Sequence, residues 1–215
     1  MSRKKSIAVI GGTGGLGLGL AARLAKSWAV TIGSREEARA AAAALRIAST
    51  SGGTVEGKAN EEAARSCDIA IFAVPDLPPG ELFASLAPGL EGKLVISPIV
   101  PLKFKDGVFT VPFSEESATE RVAKSLPGSH VAGAFHTVPA PKLADLHEGL
   151  DYDVLVTAES REVFEQAAQV VSSVGRLRPF YAGPLRTSRM VEAFTPTLLN
   201  VSRLNKLDNP SIKIV

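Results

Sequence analysis

One run of glycines narrows what this chain can fold into more than any other feature. Ile7-Ala8-Val9-Ile10 is a short apolar segment of the kind that forms a buried strand, and Gly12-Thr13-Gly14-Gly15-Leu16-Gly17 follows it almost at once. Gly12, Gly14 and Gly17 spell G-x-G-x-x-G where a strand hands over to a helix predicted over 18–25. The first glycine permits a tight turn, the second lets the backbone approach a pyrophosphate, and the third lets helix pack on strand. The helix start then presents unpaired N–H groups and its positive dipole end to phosphate. A glycine-rich structural turn is the plainer reading. The strand before and the helix after favour a dinucleotide loop, built from Gly12, Thr13, Gly14, Gly15, Leu16 and Gly17.

The next strand speaks to which dinucleotide. Residues 29–32 read as a strand that runs into Gly33-Ser34-Arg35. NAD sites usually place a carboxylate there, to accept from the ribose 2′-OH. Ser34 and Arg35 instead donate, and the planar guanidinium fork matches phosphate oxygens. Arg39 lies one helical turn beyond Arg35 and reaches the same region. Glu36 and Glu37 fit a helix start, where they complement the dipole. The pattern points to NADP(H) over NAD(H).

Further apolar runs at 55–59, 69–74, 94–96 and 131–138 alternate with helical patterns. Near-continuous apolar strands separated by helices indicate a parallel sheet covered on both faces. Asn60 is expected to cap a helix opening with Glu61 and Glu62, and Ser117 with Glu120 fits a capping box. Beyond Asp151 the alternation continues, with strands near 154–156 and 178–182 and helices over 163–174 and 188–204. The fold class expected is α/β: a Rossmann-type, doubly wound, mainly parallel sheet with a small C-terminal helical lobe. Residues 1–151 form the NADP-binding domain, and 152–215 complete the sheet and its cleft.

Composition excludes several classes. A net charge of +2 over 215 residues gives nucleic acid no obvious footprint, and no stretch approaches a membrane span. A single cysteine, Cys67, rules out an intramolecular disulfide and suits a reducing, cytoplasmic setting. Three scattered histidines and one cysteine make no metal site.

Ligands of open α/β sheets bind beyond the carboxyl ends of the strands. Val74 and Pro75, then Ser97, Val100 and Pro101, fall at such ends, and the prolines Pro98 and Pro101 stiffen a loop that suits a flat ring. His136, near the end of the 131–138 strand, faces the same edge and can donate to a carbonyl; a buried structural histidine is the competing reading. Pro196 lies inside the last helix and is expected to kink it, turning Thr195 toward the cleft. Arg189 is read either as binding an anionic or carbonyl group or as pairing with Glu192.

These blocks carry a resemblance. Gly11-Gly12-Thr13-Gly14, Gly33-Ser34-Arg35, Ser97-Pro98-Ile99-Val100-Pro101, His136-Thr137-Val138-Pro139-Ala140, Gly183-Pro184-Leu185 and Ser188-Arg189-Met190-Val191-Glu192 stand in one order along nearly the whole chain. Together they resemble the F420H2:NADP oxidoreductases. The resemblance implies hydride transfer between NADP(H) and the deazaflavin coenzyme F420, by a dimer or larger homo-oligomer. It implies NADP contacts from Thr13, Ser34, Arg35 and Arg39, and it places His136, Arg189 and Thr195 around the deazaflavin in catalytic positions. The sequence departs from that pattern at Gly15, where Asn is frequent, and at Ala193, where Ser is frequent. Two other readings stay open: an NADPH-dependent reductase of a flavin, ferric chelate or imine, and a non-catalytic NADP(H) sensor.

Overall fold

Successive residues of a strand point to opposite faces, and β1 (Ser6–Ile10) shows what each face meets. Ile7 and Val9 pack into one apolar core with α1 (Gly15–Leu24), α2 (Glu37–Ser51) and α7 (Arg161–Ser172). Ala8 and Ile10 pack into a second core with α3 (Asn60–Ser66), α4 (Gly80–Leu90) and α5 (Ala118–Ser125). Both faces of the sheet are therefore dry, which is why its strands read as unbroken apolar runs. The computed structural model describes residues 4–112 and 114–215.

The remaining strands are β2 (Ala29–Ser34), β3 (Val55–Ala59), β4 (Ile69–Phe72), β5 (Leu94–Ser97), β6 (Lys103–Lys105), β7 (Val108–Thr110), β8 (His130–Gly133), β9 (Asp153–Ala158) and β10 (Arg178–Gly183). Eight of the ten form one sheet in the order β10-β9-β8-β5-β4-β1-β2-β3. Six of them run parallel from β8 to β3; β9 lies antiparallel to β8, and β10 follows β9 in parallel. The chain leaves β1 toward β2 on one side and returns as β4 on the other. That reversal opens a crevice at the carboxyl ends of β1 and β4, the place where doubly wound sheets bind ligands. The expected fold class holds, with the short α6 (Ala140–Ala144) following β8 and α8 (Ser188–Asn205) as the C-terminal helical element.

Three local expectations need correction, and one element was not expected. The strand expected over 69–74 stops at Phe72, short of Pro75, which has no N–H to give to a ladder. The strand expected over 131–138 stops at Gly133; Phe135 then takes a left-handed φ of 67°, which no strand accommodates. Asn60 does not cap α3: Ala59 is the cap residue, and no side-chain bond forms there. Instead the Asn60 side-chain oxygen accepts from the Gly11 N–H at 3.3 Å. The hairpin of β6 and β7 was not foreseen. Its turn, Asp106-Gly107, has positive φ at both residues, as a two-residue hairpin loop requires. The capping box of Ser117 and Glu120 forms as expected.

Candidate functional site

The glycine loop separates into two kinds of glycine when a methyl is placed on each. On Gly12 it would lie 2.6 Å from the Val9 carbonyl oxygen, and on Gly17 2.6 Å from the Gly12 Cα. These two are glycine because protein packs against them. A methyl on Gly14 would meet nothing within 4 Å, and one on Gly15 only Ala140 at 3.8 Å. Neither is required by the protein's own packing, so the space over them is free for another molecule. Gly14 is the cap of α1, and the amides of Gly15, Leu16 and Gly17 fall in its first turn, where no intrahelical acceptor exists. The loop thus fits a dinucleotide's phosphates on grounds internal to the structure.

At the end of β2, Ser34 is buried and its hydroxyl oxygen accepts from the Glu36 N–H at 3.2 Å, leaving its proton to donate elsewhere. Arg35 is exposed and makes no hydrogen bond or ion pair among the described residues. Arg39 is exposed and approaches Glu36 at 3.5 Å, a loose surface pair. Glu36 and Glu37 sit exposed at the start of α2, as read from the sequence.

Beyond the loop lies a cleft of about 600 Å³, a volume ordinary for cofactor sites. It is lined by Gly14, Gly15 and Leu16 of the loop, by Val74, Pro75, Pro98 and Val100 from beyond the ends of β4 and β5, and by His136 and Thr195. Ser97 lies beneath that surface, fully buried, with its hydroxyl unpartnered. Gly12, Thr13 and Gly17 belong to the loop but do not line the cleft.

His136 is the most unusual side chain in it. It is 7 % exposed, and neither ring nitrogen has a hydrogen-bond partner. Burial pulls its pKa from 6.5 down to about 4, so the ring is neutral near pH 7, with one donor and one acceptor nitrogen. The preceding Phe135 carries the left-handed backbone noted above while buried. Such strain is of order 1–3 kcal/mol and collects where a side chain must be aimed. The Thr195 hydroxyl donates to the His136 carbonyl oxygen at 2.8 Å, tying α8 to this loop.

Arg189 and Pro101 are placed elsewhere. They line a neighbouring depression with Arg121 and Glu192, and the Arg189 guanidinium approaches the Ser114 carbonyl oxygen at 3.4 Å. Glu192 does not pair with Arg189. It is buried and accepts from the amides of Ala118 and Thr119 and from the Thr119 hydroxyl, so it is spent on the start of α5. Ala193 does not line the cleft, and α8 continues through Pro196 as one helix.

Sequence reasoning missed part of the wall. Leu198, Leu199 and Ser202 of α8 line it, with Asn209 and Pro210 from the segment after α8. That segment is anchored by the Ser211 hydroxyl on the Thr137 carbonyl (2.9 Å) and by Lys142 on Asp208 (3.0 Å). Leu198 and Leu199 carried a signal, apolar residues on the Thr195 side of α8, but it did not distinguish cleft from core. Asn209 and Pro210 carried none.

A glycine loop and a cleft at the switch point of a doubly wound sheet define a dinucleotide-binding α/β protein. Comparison with known proteins narrows the class. The family described as NADP oxidoreductase, coenzyme F420-dependent, matches residues 6–101. The F420-dependent NADP reductase of Methanothermobacter thermautotrophicus is 36 % identical over 97 % of this chain and 94 % of its own length. That of Methanothermobacter marburgensis is 35 % identical over 97 % of both chains. A solved F420-dependent NADP-reductase candidate from Arthrobacter sp. FB24 superposes with a TM-score of 0.81 at 23 % identity, covering 99 % of this chain and 100 % of that one, and so shares the fold. The chain belongs to the F420-dependent NADP reductase family.

Proposed function

We infer that this protein is an oxidoreductase that transfers a hydride between NADP(H) and the deazaflavin coenzyme F420. Family membership supports the reaction. The observation that carries the assignment to this cleft is His136: a buried, neutral imidazole with both nitrogens unpartnered, lining the same cleft as the glycine loop. A buried polar group without a partner is costly unless a ligand supplies one.

The residues divide the work. The loop amides over Gly14, Gly15 and Leu16 hold the diphosphate, and Ser34, Arg35 and Arg39 hold the 2′-phosphate. Val74, Pro75 and Val100 give the rings an apolar bed that excludes water. A small shift of the His136 ring that brings one nitrogen to the cleft surface would let it donate to or accept from the deazaflavin's polar edge, and Thr195 holds the His136 loop in place. Arg189 and Pro101 border the cleft rather than wall it, and Arg189 reaches the ligand only by leaving Ser114. When both are bound, NADP(H) and F420 would exchange the hydride directly between their rings. Hydride transfer between stacked rings needs no protein nucleophile, only proximity and dryness.

The protein acts as a homodimer in the cytoplasm on this reading. Met190, Phe194, Val201 and Leu204 lie exposed along one side of α8, an apolar strip that a second copy would cover. No helix among the described residues is long and apolar enough to cross a membrane.

The decisive assay adds NADP+ to reduced F420 and follows recovery of the oxidised deazaflavin absorbance, with free flavin and a cyclic imine offered in parallel with NADPH. Turnover with F420 alone supports the assignment. Turnover only with flavin or imine replaces the acceptor. Tight NADPH binding by folded protein without any turnover makes it a sensor.

A further inference from the structure

Asn60 is used by the fold in a way its sequence position does not suggest. It stands just past the end of β3, whose last residue, Ala59, pairs with Ser34. From there its side chain passes over the end of β2 to reach Gly11, the first residue after β1. The passage exists because Gly33 has no side chain: a methyl there would lie 2.8 Å from the Asn60 Oδ1. The Gly12 N–H also donates to the Gly33 carbonyl, at 3.0 Å. Asn60 therefore sits between the two parts of the site that would hold the diphosphate and the 2′-phosphate.

Donor and acceptor chemistry then orients the amide. Gly11 presents an N–H, so the atom facing it must be the oxygen, and the amino end is turned away from it. That Nδ2 makes no hydrogen bond among the described residues, although Asn60 is only 3 % exposed. Unlike the His136 nitrogens, it is not sealed from solvent. The residue type is informative too. Aspartate would accept from Gly11 equally well but would set a negative charge between two phosphates; asparagine keeps the acceptor and offers two donors instead.

We propose that the Asn60 side-chain amide donates to an oxygen in the adenosine half of bound NADP(H), making Asn60 a cofactor-binding residue that also locks the glycine loop to the end of β2. This rests on the NADP assignment above. The probe is 2′,5′-ADP, titrated calorimetrically into wild-type protein and into Asn60→Asp, which preserves the acceptor for Gly11. The variant is expected to melt close to wild type and to bind 2′,5′-ADP at least about tenfold more weakly, through the lost hydrogen bond together with repulsion by the new carboxylate. Its affinity for nicotinamide mononucleotide should not change. Affinity for 2′,5′-ADP within twofold of wild type overturns the proposal. So does an equal loss for both halves of the dinucleotide, which would mark a collapsed loop.

A second measurement avoids the variant altogether. In the 15N spectrum of wild-type protein, the Asn60 side-chain amide resonances should move, and their exchange with solvent should slow, on saturation with 2′,5′-ADP. Resonances that stay in place overturn the proposal. Failure of wild-type protein to bind 2′,5′-ADP at all would instead strike the NADP assignment.

Discussion

Replacing His136 with phenylalanine should remove an acid sensitivity that the buried ring builds into the fold. The unfolded imidazole takes its proton near 6.5 and the folded one only near 4. Between those values the unfolded chain binds more protons, so stability rises with pH there and falls on acidification. The folded state is unpenalised above about pH 6.5. The penalty grows to about 2 kcal/mol at pH 5 and about 3 kcal/mol at pH 4, at roughly 1.4 kcal/mol for each tenfold in proton affinity. Glu192 acts with the opposite sign, since burial raises its carboxyl and acidification relieves it. Asp153 is held below its ordinary 3.8 first by its hydrogen bond to Arg178, and so loses its contribution only in stronger acid. Both groups are present in both proteins, so the difference between wild type and His136→Phe isolates the imidazole. Urea unfolding at pH 7.5, 6, 5 and 4.5 supplies that difference. It should be flat above pH 6.5 and then shift toward the variant by about 2 kcal/mol at pH 5. Parallel curves for the two proteins would show that His136 is not buried and neutral, and the case for its ligand role would go with it.

The glycines should split by readout. Gly17→Ala, forced against Gly12, should cost about 2–3 kcal/mol in denaturant; Gly14→Ala should melt as wild type yet bind NADPH at least about tenfold more weakly, a loss of roughly 1.4 kcal/mol. Equal affinity in Gly14→Ala would mean that no ligand approaches there. Arg35→Ala should raise the KM for NADPH about 10–100-fold while leaving that for NADH and the melting temperature alone, because the guanidinium is exposed and makes no hydrogen bond or ion pair among the described residues. A KM ratio of NADH to NADPH that does not move refutes the 2′-phosphate role. Arg23 is buried and donates to the carbonyl oxygens of Lys142, Leu143, Asp145 and Glu148; Arg23→Met should cost at least about 3 kcal/mol in thermal unfolding by orphaning them. A change below about 1 kcal/mol would show that water satisfies those carbonyls as well as Arg23 does.

What could be read from the residues was what depends on near neighbours in sequence. Strand runs, the glycine turn and the Ser117–Glu120 cap are local patterns, and each fixes one element. Ser34 and Arg35 were legible because the end of β2 is a fixed distance from the loop in any fold of this kind. The turn Asp106-Gly107 is legible in the sequence, but the strands it joins are three residues each and almost wholly exposed, so no apolar run marks them. Phe135 could not have been foreseen: nothing in a phenylalanine announces a left-handed backbone, and only the surrounding packing imposes it. Asn60 misled because an asparagine before two glutamates is a good cap in isolation; the long-range bond to Gly11 outcompetes it. Arg189 was readable as a helix-start arginine but not as one that reaches toward Ser114, since that contact spans 75 residues of chain.

The segment after α8 puts residues from both ends of the chain around one cavity, from Gly14 to Asn209 and Pro210. It is fastened at Thr137 through Ser211 and at β9, where the Asp153 N–H donates to the Ile212 carbonyl at 2.9 Å. Closing so long a loop is entropically late work in folding. The nucleotide loop can therefore exist before the cavity does, and a partly opened molecule should keep the former while losing the latter. Cleft ligands bind only the closed form and must stabilise it by mass action. Amide hydrogen exchange along 206–215 should then slow when F420 is added.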